Sequence, residues 1–431
     1  MEWRRDGWRS RSLRPSLSHA SLAMSFAGPC SAAWARASSC EYWSGRRATA
    51  FGRLGCSAVR RSAWAAETGR AARAGTPGKI MAPPQRSSIR MRFHRHMAEP
   101  IRVVMTGGGG FIGSYLLARL VGAGMDVTLV GPHTGKSRYT ASLVEKGIVR
   151  FLRCDGSFTD EDLLPRILRS ADALLLLGYV MPTSSSPAQR LLDELTCNVS
   201  PTLRLVRAAL RSRPHVVFAS SVSVYGVPPH SPVSEDDRPS PSTPYAIAKL
   251  VCEEAIQLLC GADAATASIL RYSTVYGPGE VVPRAIPNFI RATLAGTPLI
   301  VNGDGQDEHD YVHVADVVDA TMEALRRRAA GVFNVGTGIG TTTIDLAKLV
   351  LKLADTSTPI LSAPAQPGAG RRLQIVCDTE AARTALGFVA RRSLPEGISE
   401  EIGWFRSEQD QCARASSRVA RHAPAVARAV A

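Results

Sequence analysis

Long hydrophobic runs are missing from this sequence: no apolar stretch reaches the roughly 18 residues that a membrane-spanning helix needs. Paired cysteines are missing too. The nine cysteines are odd in number and scattered, with no C-x-x-C pair, which argues against a disulfide framework and a zinc site alike. No metal is expected. Excess charge is absent from most of the chain, although the net value of +15 suggests otherwise. Residues 1–96 hold 18 Lys and Arg against 4 Asp and Glu, and the remaining residues hold 34 against 33. A near-neutral body leaves no electrostatic footprint for nucleic acid. The expectation is a soluble, cytoplasmic protein that meets a small molecule, with neither nucleic acid nor membrane as partner.

The first 96 residues also lack helical or strand periodicity, while holding five of the six tryptophans. They read as a disordered basic extension. Either translation starts at Met97, or the segment is an Arg- and Ser-rich, acid-poor targeting sequence, which would make the protein organellar. Both origins keep it out of the fold.

What is present begins at Ile101. A short apolar run leads into Gly107-Gly-Gly-Gly110-Phe111-Ile112-Gly113, and an amphipathic pattern follows at once. This reads as strand, tight turn and helix. Gly107 permits the turn, Gly110 lets backbone approach a pyrophosphate, and Gly113 lets the helix pack close to the strand. The phosphates would meet free N–H groups at the helix N-terminus. The spacing is G-x-x-G-x-x-G, so the flanking strand and helix carry as much of the reading as the glycines.

Apolar runs then alternate with helical segments: strands at Met125–Val130, Ile148–Cys154, Ala173–Leu177, Val216–Ala219 and Thr266–Tyr272, with helices between them. The alternation predicts an α/β fold, a doubly wound parallel sheet. Pro187–Leu210 reads as one long helix with a kink at Pro201. From Tyr276 onward Gly, Pro and short strands break the pattern. Residues 97–275 are therefore expected to form a nucleotide-binding domain, and 276–406 a smaller substrate lobe with some sheet elements interleaved. A flexible tail is expected over 407–431. Helices near Arg284–Leu294, Asp316–Arg327 and Ile344–Leu353, and a strand at Val332–Val335, are assigned to the lobe.

Ser220-Ser221-Val222-Ser223-Val224-Tyr225-Gly226 follows the fifth strand, and Tyr245-Ala-Ile-Ala-Lys249 opens the next helix. Residues i and i+4 share a helical face. An ammonium beside a phenol favours the phenolate, whose pKa is otherwise about 10. A tyrosine so tuned can remove a proton from a sugar hydroxyl while hydride leaves the same carbon. Ser221 would steady the developing carbonyl.

Residues Met97 to about Arg406 resemble an extended short-chain dehydrogenase/reductase of the NAD-dependent epimerase/dehydratase group. The matching segments are Thr106–Gly113, Cys154-Asp155, Ser220–Gly226, Pro244–Lys249, Leu270–Pro278, Gly303 through Val312, and Val332–Gly336. The resemblance implies a nucleotide-sugar substrate, a transient 4-keto intermediate and a homodimer paired through Pro187–Leu210 and Pro244–Cys260. It assigns catalysis to Ser221, Tyr245 and Lys249. Cofactor contacts fall on Gly107, Gly110, Phe111, Ile112, Gly113, Asp155, Tyr245 and Lys249, and substrate contacts on Ser221, Ser223 and Asn288. Asp155 would meet the adenine. Asn198 and Asp316 match positions that are structural in such proteins.

Three departures shape the expectation. Gly131 stands where many members carry an acid for the adenosine ribose, and Lys136 and Arg138 lie close by. NAD is expected, with NADP open. Val222 and Ser223 replace the acids that dehydratases and decarboxylases use, so water loss lacks its catalyst. His309, Gln366 and Thr274 replace two arginines and an asparagine of the substrate site, with Arg284, Arg371 or Arg372 near enough to compensate. The leading reading is an NAD(P)-dependent nucleotide-sugar epimerase. A reductase or dehydrogenase of a small alcohol or ketone is the enzymatic alternative, and a nucleotide-binding regulatory protein the non-enzymatic one.

Overall fold

Strands buried on both faces need apolar side chains at every position, and Ala173 to Leu176 and Val103 to Met105 meet that demand. The computed structural model describes residues 100–135, 137–159, 163–364 and 372–409. The expectations for residues 1–96, Lys136, Gln366, Arg371 and the tail beyond 409 lie outside the described residues. The strands are β1 (Arg102–Thr106), β2 (Asp126–Gly131), β3 (Arg150–Arg153), β4 (Ala173–Leu176), β5 (His215–Ser221), β6 (Thr266–Tyr272), β7 (Thr274–Tyr276), β8 (Leu299–Asn302), β9 (Glu308–His313), β10 (Gly331–Val335), β11 (Gly340–Thr342), β12 (Ile360–Ala363) and β13 (Gln374–Ile375). The helices are α1 (Phe111–Gly122), α2 (Arg138–Glu145), α3 (Leu163–Leu168), α4 (Pro187–Glu194), α5 (Ser200–Ala209), α6 (Pro244–Ala262), α7 (Ala285–Ala295), α8 (Val314–Arg327), α9 (Thr343–Ala354) and α10 (Glu380–Leu386). A closing helix covers 394–409.

Seven parallel strands form the main sheet in the order β10-β6-β5-β4-β1-β2-β3. Helices cover both faces. Leu116, Leu117 and Leu120 of α1 join Val317 and Ala324 of α8 on one side. Leu168, Leu205, Val206 and Ile256 of α3, α5 and α6 fill the other. The strand order reverses between β1 and β4, so a crevice opens at their C-terminal ends, where ligands bind in sheets of this kind. A separate core of Ile286, Phe289, Leu299, Leu346, Ile398 and Phe405 gathers α7, β8, α9 and the closing helix. No described helix is long and apolar enough to cross a membrane.

Two expectations are corrected. Val332–Val335 and Asp316–Arg327 belong to the main sheet and its helical cover, not to the lobe. Strand β10 pairs with β6 from Gly331↔Ser268 to Val335↔Tyr272, and α8 packs on α1. Burial decides this, because nine residues of α8 are buried and only the large sheet offers enough apolar surface. The segment Pro187–Leu210 also differs from a helix kinked at Pro201. A π-helical turn over Leu195–Val199 separates α4 from α5, and Pro201 lies in the first turn of α5, where its missing N–H costs nothing.

Candidate active site

The site grows from the ends of β1, β4 and β5. Gly107 leaves β1 with φ +74°, and a Cβ there would sit 2.6 Å from the Gly178 nitrogen. Gly178 follows β4, and its N–H donates to Thr106 Oγ1 at 3.0 Å, closing the two strand ends together. A Cβ on Gly113 would lie 2.0 Å from the Gly107 carbonyl oxygen, so only glycine lets α1 start this close to the strand. Gly110 donates to Gly107 O at 3.0 Å and is the N-cap of α1, with no side chain to cap the helix. The first turn, Phe111 and Ile112, therefore presents backbone N–H groups suited to an anion. Side chains at Gly107 and Gly113 would push strand and helix apart, and the open N–H groups that their close approach leaves at the start of α1 suit a dinucleotide pyrophosphate.

Gly178 leads into Tyr179, which was not singled out from the sequence. The Tyr179 ring stands edge-to-face on Tyr245, with centroids 5.2 Å apart. The glycine turn and Tyr245 are thus joined through two consecutive residues. Thr243 caps α6 by accepting from Ala246 N, which places Tyr245 in the helix's first turn beside the crevice. One turn on, Lys249 is buried. Its Nζ donates to Ala219 O of β5 at 2.7 Å and lies 5.8 Å from the Tyr245 ring centroid.

Ser221 ends β5. Its hydroxyl donates to Ser223 Oγ at 3.0 Å and accepts from Ser223 N at 3.2 Å, starting a 3₁₀ turn over Val222–Tyr225. Both serines are half-buried at this edge. Val222 faces an apolar cluster with Val224, Tyr225 and Val233, so no carboxylate stands at either position within the serine motif.

Two tyrosines face each other here, and their roles separate. Tyr179 donates its hydroxyl to Glu194, and Asn198 Nδ2 donates to the other Glu194 oxygen at 2.7 Å. Burial first, then the Glu194 carboxylate, pushes the Tyr179 phenol above the usual tyrosine range. Tyr179 stays a donor, which leaves Tyr245 as the available acid–base group. Asn198 also pins the segment after β4 by bonding Val180 N and O, both at 2.8 Å.

The remaining predicted residues are placed as follows. Asp155 is exposed, and its carboxylate caps its own turn, accepting from Ser157 N at 3.0 Å, Ser157 Oγ and Phe158 N. Those bonds hold it below the usual carboxylate range, Ser157 foremost. Asn288 lies on the exposed face of α7, where its Oδ1 accepts from Arg291. His309 is half-buried in β9 against Tyr311, and burial holds its imidazole below the usual histidine range, hence neutral at pH 7. Gly131 ends β2 in register with Arg153 of β3. Arg284 lies 3.8 Å from Glu280, and Arg372 pairs with Asp304 at 3.2 Å. Tyr115 of α1 donates to Pro278 O at 2.8 Å, tying the segment after β7 to the helix of the glycine turn.

Comparison with known proteins agrees with this geometry. The model of the NAD dependent epimerase/dehydratase family matches residues 103–336. The chain is 33% identical over 318 residues to a UDP-glucose 4-epimerase of Mycolicibacterium smegmatis, covering 72% of this chain and 99% of that protein. It is 30% identical over 321 residues to a UDP-N-acetyl-alpha-D-glucosaminuronate decarboxylase of Bacillus cytotoxicus, covering 71% and 98%. Among solved structures, MoeE5 in complex with UDP-glucose and NAD is similar with a TM-score of 0.63 at 32% identity, over 72% of this chain and 99% of that one.

Proposed function

We propose, from the premise that the chain belongs to the NAD dependent epimerase/dehydratase family, that it is an NAD-dependent nucleotide-sugar epimerase. One observation carries the reading: Lys249 is seated on the Ala219 carbonyl of β5, one helical turn from Tyr245, and Tyr245 is joined through Tyr179 and Gly178 to the glycine turn.

Gly107, Gly110 and Gly113, with the first-turn N–H groups of Phe111 and Ile112, would hold the pyrophosphate of the cofactor, and Asp155 would face the adenine. When bound, the nicotinamide supplies reversible hydride transfer at one sugar carbon. Tyr245 takes the proton from the hydroxyl on that carbon and returns it after the ketone has turned. Lys249 brings its charge to the same helical face, with Nζ 5.8 Å from the Tyr245 ring centroid. Ser221, once its hydroxyl turns from Ser223 Oγ to the substrate, donates to the oxygen that becomes the carbonyl, and Ser223 N–H holds the Ser221 oxygen in place. Asn288 is assigned a contact to the substrate's nucleotide portion.

The residues absent from positions 222 and 223 favour epimerisation over dehydration or decarboxylation, since Val222 and Ser223 offer no carboxyl acid. A neutral His309 also replaces a charged clamp, so the substrate diphosphate is held by hydrogen bonds more than by charge. The protein is assigned to the cytoplasm and to a homodimer. Support for the dimer comes from apolar residues left exposed along α4, the π turn and α6: Leu192, Leu195, Val251 and, at 75% exposure, Leu258.

The test is incubation of the purified protein with NAD and UDP-hexoses, with separation of the epimeric products. An epimerase gives a product without net gain of reduced-cofactor absorbance, whereas a reductase or dehydrogenase changes that absorbance in proportion to product. Tyr245→Phe should lower kcat about a thousandfold while the protein stays folded. A variant as fast as its parent would remove Tyr245 from the chemistry and leave a binding protein.

A further inference from the structure

Lys249 is a buried cation with an unusual set of neighbours. Among the described residues no carboxylate forms an ion pair with it; its hydrogen bond goes to the Ala219 carbonyl at 2.7 Å. Three aromatic rings surround the rest of the ammonium. Nζ lies 4.8 Å from the Phe218 centroid, 5.4 Å from Tyr179 and 5.8 Å from Tyr245, all within cation–π range. A buried charge without a counter-ion depends on whatever dipoles and quadrupoles its surroundings offer. Phe218 belongs to the sheet and Tyr245 to the reaction. Tyr179 is the third wall.

The third wall is itself held. The Tyr179 hydroxyl donates to Glu194, which is only 1% exposed, and Asn198 donates to the second oxygen of the same carboxylate. Asn198 also clamps Val180, the next residue along from Tyr179, and sits in the π turn. Ring, hydroxyl and backbone are therefore each fixed by a separate contact. A side chain that only filled space would need none of the three.

We infer that Tyr179 is a positioning residue of the reaction: it completes an aromatic cage, with Phe218 and Tyr245, that keeps the Lys249 ammonium turned toward the Tyr245 phenol. The inference rests on the reading of Tyr245 and Lys249 as the acid–base pair. Titratable groups face the cage from each packed element: Glu194 and Arg190 from α4, and Tyr245, Cys252 and Glu253 from α6. Glu253 is engaged by Arg271 of β6, and burial pushes the Cys252 thiol up to about 11.

Two substitutions separate ring from bulk. Tyr179→Phe keeps the π face and loses the hydroxyl, whereas Tyr179→Leu keeps apolar volume and loses the π face. With the cofactor-loaded enzyme, Tyr179→Leu should lower kcat about tenfold, leave KM for the nucleotide sugar within about twofold, and move the acid limb of the kcat profile about one pH unit alkaline. Tyr179→Phe should stay within about twofold of its parent with the limb in place. Equal losses in both variants, or no change in either, would overturn the cage. If Tyr179→Leu does not fold, Tyr179→Met replaces it under the same criteria. The ultraviolet phenolate titration, taken as parent minus Tyr245→Phe, follows the pair without any substrate. A parent inactive on nucleotide sugars whose phenolate transition still moves in Tyr179→Leu would sink the epimerase reading and leave the cage standing.

Discussion

Two buried clusters of charged and polar side chains in this molecule treat glutamate in opposite ways. Beneath β5, Glu253 is fully buried and paired with Arg271, Oε2 to Nη2 at 2.7 Å. Ser220 donates to the same carboxylate, Arg271 Nη1 donates to Tyr225 Oη at 2.9 Å, and Tyr225 donates to Asn334 at 2.8 Å. Every member has a partner, and the network ties β5, α6, β6 and β10 into one floor under Ser221 and Lys249. Beside the Gly277–Glu280 segment, Glu401 forms no ion pair among the described residues. Its Oε2 accepts from Gly277 N at 3.0 Å, its Oε1 has no partner, and nearby Glu280 is an acid as well. Burial pushes Glu280 up to about 7, and burial with Glu280's charge pushes Glu401 up to about 9. The first cluster meets its buried carboxylate with a guanidinium, whereas in the second Glu401 keeps its proton to about 9 beside a Glu280 that titrates near 7.

The largest expected effect breaks the paired cluster. Glu253→Ala leaves the Arg271 guanidinium buried without its anion and should cost about 3–5 kcal/mol in denaturant unfolding. Replacing both partners with apolar residues, Glu253→Met with Arg271→Leu, should recover most of that loss, because no charge is then stranded. A cost under about 1 kcal/mol for the single change would mean that the floor is not held by this pair. The second prediction sharpens the other cluster and has the opposite sign. An unfolded glutamate ionises near 4.5, whereas Glu401 keeps its proton to about 9. Between those values the folded state binds more protons, so stability falls as pH rises through the window. Glu401→Gln fixes the neutral form and should stabilise the protein by about 1–3 kcal/mol at alkaline pH, with little gain in acid. Thermal melts across the window check this, and a variant with the parent's slope refutes it.

The contrast also marks what a reader of the sequence could see. The glycine turn, the serine run and the Tyr245–Lys249 pair lie in short windows, where spacing and flanking pattern encode geometry. The parallel sheet was legible for the same reason, strand by strand. The two clusters were not. Glu253 meets Arg271 across 18 residues and Asn334 meets Tyr225 across 109, so neither leaves a local pattern. Strand β10 looked like a fragment of the lobe because its five residues reveal no partner until β6 is in place. Tyr179 bonds Glu194, 15 residues on at the end of α4, beside a π turn that no spacing rule announces. Asp155 and Asn288 were named through resemblance alone. Their carboxylate and amide are engaged by neighbours within four residues, which is how local polar chemistry competes with a ligand.

The smallest expected effect lies on the acid side of the second cluster. His313 is buried, its Nε2 lies 3.7 Å from Glu400, and burial takes its imidazole down to about 4. An unfolded histidine titrates near 6.5, so between 6.5 and about 4 the unfolded chain binds the extra proton. Stability from this residue is therefore lost as pH falls, the reverse of Glu280 and Glu401. The side chain has a second task as N-cap of α8, accepting from Ala315 N at 3.3 Å. His313→Asn keeps a capping acceptor and removes the titration, so at pH 7 it should lie within about 1 kcal/mol of the parent. Its acid decline should be shallower yet still present, since buried His215, held between Thr266 and Ser268, is also taken down to about 4. A decline as steep as the parent's would assign the acid sensitivity to His215 and the paired side of the molecule. The opposition between the two clusters would then survive only at alkaline pH.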